Sequence, residues 1–511
     1  MKKNRFYTFN RVLFISVSLL FGMAFAQAQT FLGSAGDRLW SNADNWLDGL
    51  KPTEQSENVT INSDVLVDED VVIQNLNNAT PCTLTIQSGK KMTVTITINW
   101  NNGDFILEDG AQLVCQHELH AIVKRKIVAY DQDIHAMEFI ASPVMEAITP
   151  SLENGFLTDP DTGYDLFYYN ESNHQWVDFH ETPFNLENGH GYAYINALDT
   201  TLLFEGTVKG SNVPAVVGLE YHASNGALAG CNMVGNPLPC DAFANRSYYN
   251  LDEKGISMLA VPASLAVPIP PCKGVFVKAE NPVETVSFSK IEDLQTSENH
   301  GYIELFATKA NTANAPTDNA IVSFNPGDDL GKFLIFEEQP SLYFTNDKKD
   351  LAIISINSVD ALPLKFIAAE NTSYTIRIEL KNLDINYLHL IDNITGNNID
   401  LLIQPSYTFN ATTSDYTSRF KLVFDPHYSV EENDLSADFA YYTDGTIYIH
   451  NIETQNVASL QVVDMNGRIV YSEAINNRDG VHTVSTNLIP GIYLLRLASG
   501  NAVMTQKMVI Y

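Results

Sequence analysis

Two stretches early in the chain carry the same pattern of apolar positions. "LTIQSGKKMTV" places Leu84, Ile86, Met92 and Val94 around Gly89, and "FILEDGAQLVC" places Phe105, Leu107, Leu113 and Cys115 around Gly110, 21 residues later. One more step back, Val65, Val71 and Ile73 flank Asp68. Equal apolar pairs separated by a turn and repeated at a fixed step are what stacked β-coils need, because each coil buries its inward residues against those of its neighbours. The spacing predicts a short β-helix-like solenoid over about residues 58–128. Val71, Met92 and Leu113 should stack inward about 4.8 Å apart. The alternative is a sandwich with accidental spacing. Trp40 and Trp46, in the preceding "LWSNADNWLDGLKP", are placed to cap the open end of the stack, a reading preferred to sugar binding.

Further along, period-2 alternation with Gly, Asn and Pro at the breaks predicts strands. In the middle of the chain these are "MEFIASPV", "GYDLFYYNESNHQWVDF", "NGHGYAYINALDTTLLFEGTVKG", "CNMVGNPLPC" and "PPCKGVFVKA". From 296 to 427 they are "YTIRIEL", "YLHLIDN" and "RFKLVF", for which a β-sandwich is expected. The last segment alternates again, and its expected core is Ile447, Ile449, Leu460, Val462, Ile492, Leu494 and Val509. The fold class is therefore all-β and multidomain.

The N-terminus reads as a targeting segment. Lys2, Lys3, Arg5 and Arg11 precede the apolar "VLFISVSLLFGMAFA", and the small pairs Ala24/Ala26 and Ala26/Ala28 offer cleavage points. The apolar run is short for a span, so no transmembrane segment is expected in the mature chain. The chain has 511 residues and a formal charge of −31, with only 18% charged residues. Nucleic acid is excluded as a partner, because phosphate binding needs clustered Lys and Arg.

Export permits disulfides. Of the five cysteines, Cys231 and Cys240 flank the "NMVGNPLP" turn and are the simplest pair, with Cys272 nearby; buried thiols are the alternative. Candidate chemistry is sparse. "HELH", His117 to His120, is one residue short of the helical zinc pattern, and on a strand its histidines would face opposite ways. "DPDTGYD" offers Asp159, Asp161 and Asp165 as a weak Ca²⁺ site but is shorter than an EF-hand loop. No other cofactor is expected. Neither a nucleophile elbow nor a phosphate loop occurs.

Two resemblances add to this. "IASPV", "GHGYAYI", "LFEGTV", "NMVGNPLP" and "GVFVKA", in that order, are similar to a module of large secreted Bacteroidetes proteins, and the segment that follows resembles the one that usually precedes their sorting domain. The last 75 or so residues resemble the type A C-terminal sorting domain of the type IX secretion system. The matching positions are Asp464, Gly467 and Arg468 in "DMNGR", Pro490, Gly491 and Tyr493 in "PGIYLL", and Lys507 near the end. The resemblance implies an immunoglobulin-like β-sandwich and passage through the periplasm to the outer-membrane surface or the medium. It also implies the type IX machinery as a partner, and often attachment to surface lipopolysaccharide. The expected order is signal peptide 1–28, solenoid with cap 29–130, β-rich module 131–295, β-sandwich 296–427, linker 428–437 and sorting domain 438–511. Two function classes follow. A non-catalytic structural, adhesive or ligand-binding protein is favoured over an extracellular hydrolase of polysaccharide or protein.

Overall fold

The computed structural model describes residues 28–424, apart from 55, 131–136, 159–162, 291–300, 335–338, 347–348 and 358–359. It also describes residues 440–510, apart from 444–445, 450–457, 465–467, 476–481, 486–487, 489–490 and 500–501. The linker and all but the last residue of the expected signal peptide lie outside the described residues. The chain divides into two compact units at Leu119/His120. The described residues are all-β, with short 3-10 turns between strands.

In the first unit the strands are β1 (Gln29–Phe31), β2 (Asn58–Ile61), β3 (Val65–Val67), β4 (Val71–Asn78), β5 (Leu84–Ile86), β6 (Lys91–Asn99), β7 (Phe105–Leu107) and β8 (Gln112–Val114). They alternate between two parallel ladders, β1-β2-β4-β6-β8 and β3-β5-β7. Met92 pairs with Val71 on one side and Leu113 on the other, and Leu84 pairs with Phe105, so the 21-residue step is the register of these coils. Val71, Met92 and Leu113 are all buried. The turns between the ladders need a left-handed residue, supplied by Gly89 (φ +68°) and Gly110 (φ +72°).

The first coil departs from the step. Val65 pairs with Leu84, 19 residues on, and not with Ile86. A shift of two keeps the same face inward, so the burial pattern survives the shorter coil. Trp40 and Trp46 are buried edge-to-face, 4.7 Å between ring centroids, and Trp46 also meets Phe31 of β1 at 5.1 Å. The Trp46 indole N–H donates to the carbonyl of Trp40 (2.8 Å). Neither ring is exposed for stacking on a sugar.

In the second unit, two four-stranded sheets meet in the middle of the chain. One orders Glu138–Ala141, Gly191–Asn196, Tyr164–Asn170 and Gln175–Asp178; the other orders Cys231–Gly235, Gly274–Lys278, Tyr248–Leu251 and Met258–Val261. Glycines of the "GHGYAYI" and "NMVGNPLP" motifs sit where the sheets touch. A Cβ on Gly191 would lie 2.7 Å from the Val234 oxygen, and one on Gly235 would lie 2.2 Å from the Ala141 Cβ. Only a residue without a side chain permits this approach.

The middle and third segments, expected as separate modules, share one core. Phe139, Cys231, Tyr249 and Phe276 pack in a single cluster with Tyr302, Ile321, Phe333 and Ile353. The Tyr249 hydroxyl donates to the Gly331 carbonyl (3.0 Å). Asp318 is buried beside Lys332 (2.5 Å) and accepts from the Leu342 amide (2.6 Å). Burial pushes the Asp318 carboxyl above its ordinary value.

The third segment forms a single eleven-stranded sheet that curls around one core, in place of two facing sheets, and several of its strands turn their other face to the core shared with the middle segment. Its end strands meet at a polar seam. Tyr407, on the end strand Ser406–Ala411, donates to Asp392 (2.9 Å) and accepts from Asn397 (3.0 Å) near the other end. Arg419 holds the same carboxylate through Nη2 (2.8 Å) and Nε (3.1 Å), with its guanidinium 4.4 Å from the Phe409 ring centroid. Burial raises the Asp392 carboxyl, but the Arg419 hydrogen bonds and charge outweigh it and hold the group below its ordinary value.

The C-terminal segment forms two small antiparallel sheets around a core that, among the described residues, is drawn from Ala440 to Met508. Ile447, Ile449, Leu460 and Val462 are buried as expected. Ile492 and Leu494 are not: they are 38% and 37% exposed, while Tyr493, Leu495 and Leu497 are buried. The register explains the correction. Leu460 pairs with Leu497 and Val462 with Leu495, and residues paired across strands share a face. Val509 pairs with Ile492 in the backbone register, and its side chain lies outside the described residues.

Candidate functional site

Strand Ala458–Asp464 ends in the acidic residue of the "DMNGR" turn, and Arg468 stands on the other side of it. The Asp464 carboxylate accepts from the Arg468 amide (3.0 Å) and Nε (2.9 Å), with Nη2 at 2.7 Å. The Asp464 amide in turn donates to the Arg468 carbonyl (2.9 Å). The first and last residues of the motif thus close the hairpin together. Gly467 and Pro490 lie outside the described residues. Gly491 opens strand Gly491–Ser499, where Tyr493 faces the core opposite Asp464. Lys507, on strand Ala502–Ile510, pairs with Leu494. Val463 pairs with Ile469 on one side and Leu494 on the other. Ile469 and Leu494 are exposed, so this row forms an apolar stripe on the outer face of the sheet.

A second arrangement lies in the middle of the chain. Among the described residues, Glu171, Glu220 and His222 form a group with one ligand-type atom from each within 4.8 Å of the others. Glu171 follows strand Tyr164–Asn170 and is buried. Its Oε1 accepts from the amides of Gly230 (2.7 Å) and His222 (3.0 Å), and its Oε2 meets His222 Nδ1. Glu220 and His222 are two apart on chain that precedes the turn Ala223–Leu228, and extended backbone puts such residues on one side. Asn232 fixes this segment by accepting from the Glu220 amide (2.8 Å) and donating to its carbonyl (2.9 Å). Burial raises the Glu171 carboxyl, but the hydrogen bonds from His222 and Gly230 outweigh it and hold the group low. The bond to Glu171 raises His222.

Other expected positions are dispersed. Cys231 is a buried thiol, pushed up to about 12 by burial, and the expected Cys231–Cys240 bridge is not made. Cys231 opens a five-residue strand that carries the chain about 13 Å onward. Asn236 holds the Cys240 carbonyl (2.9 Å) beyond the far end of that strand, whereas a bridge needs Cα atoms within about 7 Å. His117 and His120 are each exposed. Asp159 and Asp161 lie outside the described residues, and Asp165 is exposed on its strand. The Glu171 group escaped the sequence because its carboxylate stands 51 residues from His222. The signal that was present is the Glu-x-His spacing of "EYH".

Residues 443–511 match the family described as a secretion system C-terminal sorting domain. The chain is a cargo protein of the type IX secretion system. It is exported to the cell surface or the extracellular medium. Residues 30–259, which include Glu171, Glu220 and His222, match a domain of unknown function, DUF8693. No curated protein matches the cargo chain. Solved structures similar to it include dimeric latent PorU from Porphyromonas gingivalis, at 10% identity and TM-score 0.15, covering 80% of this chain and 32% of that one. The cargo chain thus spans about a third of the PorU chain. The BSP domain of a biofilm associated protein is similar at 8% identity and TM-score 0.12, covering 78% and 96% of the two chains. A tetra-tandem repeat from the extending region of a large adhesion protein is similar at 10% and 0.11, covering 77% and 98%. Scores this low carry no argument about fold or function. Among the described residues no helix is long and apolar enough to cross a membrane.

Proposed function

We propose that this cargo is a non-catalytic secreted or cell-surface protein with a structural, adhesive or ligand-binding role, and that its stacked N-terminal unit is the contact surface. The carrying observation is a pair of polar rows on the first ladder. Asn58 pairs with Asn75 and Asn75 with Thr97; Thr60 pairs with Asn77 and Asn77 with Asn99. These positions alternate with buried Val59, Ile61 and Leu76, so they face outward. Amides and hydroxyls repeated about every 4.8 Å suit a repetitive polar polymer such as a glycan. In this reading residues 1–28 are removed on export, the outer stripe of Ile469, Val463 and Leu494 meets the machinery, and lipopolysaccharide retains the product at the surface.

The test is a binding and turnover screen of the exported protein on polysaccharides and peptides. Saturable glycan binding without bond cleavage, lost in an Asn77→Ala/Thr97→Ala variant of unchanged melting temperature, is expected. Hydrolysis of any of these substrates would overturn the reading in favour of an extracellular hydrolase.

A further inference from the structure

We propose that Glu171, Glu220 and His222 form a binding site for a divalent transition-metal ion of the Zn²⁺ type, tying the 219–230 segment to the end of strand Tyr164–Asn170. The donor set argues the class of ion. One imidazole with two carboxylates suits Zn²⁺ and its first-row neighbours, whereas Ca²⁺ takes oxygen ligands alone.

The placement argues that the site is built. Two donors come from a Glu-x-His pair on chain clamped at both backbone groups of Glu220 by Asn232. The third is a buried carboxylate oriented by the Gly230 and His222 amides. Such outer contacts hold a ligand in place before the ion arrives. One donor atom from each residue already lies within 4.8 Å of the others. A tetrahedral ion with bonds of about 2.0–2.2 Å needs donors roughly 3.3 Å apart. Glu220 is exposed and can swing to reach that spacing. Bound there, the ion replaces the direct contact between His222 and Glu171 with two bonds to itself. The His222 side chain is 48% exposed, which leaves an entry path and room for water as a fourth ligand. The acidity of the chain, with a formal charge of −31, draws cations toward it.

The test is calorimetric titration of the purified full chain with Zn²⁺, repeated in the presence of excess Ca²⁺. One Zn²⁺ per chain is expected, unaffected by Ca²⁺. His222→Ala and Glu220→Gln alter exposed side chains and should keep the wild-type circular dichroism while each losing at least about tenfold in affinity. His117→Ala/His120→Ala, the control for other exposed histidines, should bind as wild type. No saturable Zn²⁺ binding would overturn the proposal. Binding unchanged in His222→Ala, or abolished only in the His117/His120 control, would do so equally.

Discussion

Asp464 and Arg468 clasp each other across the turn of the sorting domain, main chain to main chain and side chain to side chain. The two contributions differ in worth. Arg468 is 75% exposed, so its ion pair adds little, whereas the Asp464 carboxylate also caps a backbone amide. Asp464→Ala should destabilise the domain by about 1 kcal/mol, and Arg468→Ala by less than about 0.5 kcal/mol. Urea unfolding of the full chain, followed by a probe in the sorting domain, measures both. Equal losses would mean that the charge pair holds the turn.

Met92 tests the stack. It is fully buried between Val71 and Leu113, and truncation leaves a cavity that two neighbouring coils must close. Met92→Ala should cost about 2–5 kcal/mol, read as a fall in the denaturation midpoint of the first unit. A cost within about 0.5 kcal/mol, typical of a surface position, would refute the inward stacking.

Asp392 should make the third segment acid-sensitive. Its folded pKa is depressed, so its contribution is present above the unfolded carboxylate value of about 3.9 and is lost as pH falls through the lower folded value. Asp392→Asn should flatten stability against pH over that window. Arg419→Met should cost about 3–5 kcal/mol, because it strands a buried carboxylate. Chemical denaturation across pH 2–6, roughly the span of carboxylate titration, compares them.

Gly235 should tolerate no side chain. A Cβ there would meet the Ala141 Cβ and, at 2.6 Å, the His190 oxygen. Both belong to packed strand and backbone that cannot swing aside. Gly235→Ala should lower stability by about 1–3 kcal/mol or more, measured by thermal melting. An unchanged melting temperature would show that the two sheets can part freely at this point.

What the sequence revealed depended on how local the pattern was. The 21-residue step was legible because parallel coils place equivalent residues at equal intervals, as Met92 and Leu113 show. The shorter first coil was hidden, since Val65 faces inward in either register. In strand Gly491–Ser499, Ile492, Tyr493, Leu494 and Leu495 are all apolar, so alternation does not say which face is buried; pairing with Leu460 and Val462 decides it. The core shared by Tyr249 and Phe333, and the approach of Glu171 to His222, rest on contacts between distant segments. No spacing rule reaches them. Cys231 and Cys240 are close in sequence, but a straight strand separates them in space.

Export depends on a separable C-terminal domain, and truncation before Ala437 tests this. The core of that domain is its own, drawn from residues Ala440 to Met508, so its removal should leave the cargo folded. Cells carrying the truncated chain are fractionated and the protein is followed in periplasm, outer membrane and medium. A folded, protease-resistant protein confined to the periplasm is expected. Truncated protein at the surface or in the medium, in the proportion seen for the full chain, would contradict it.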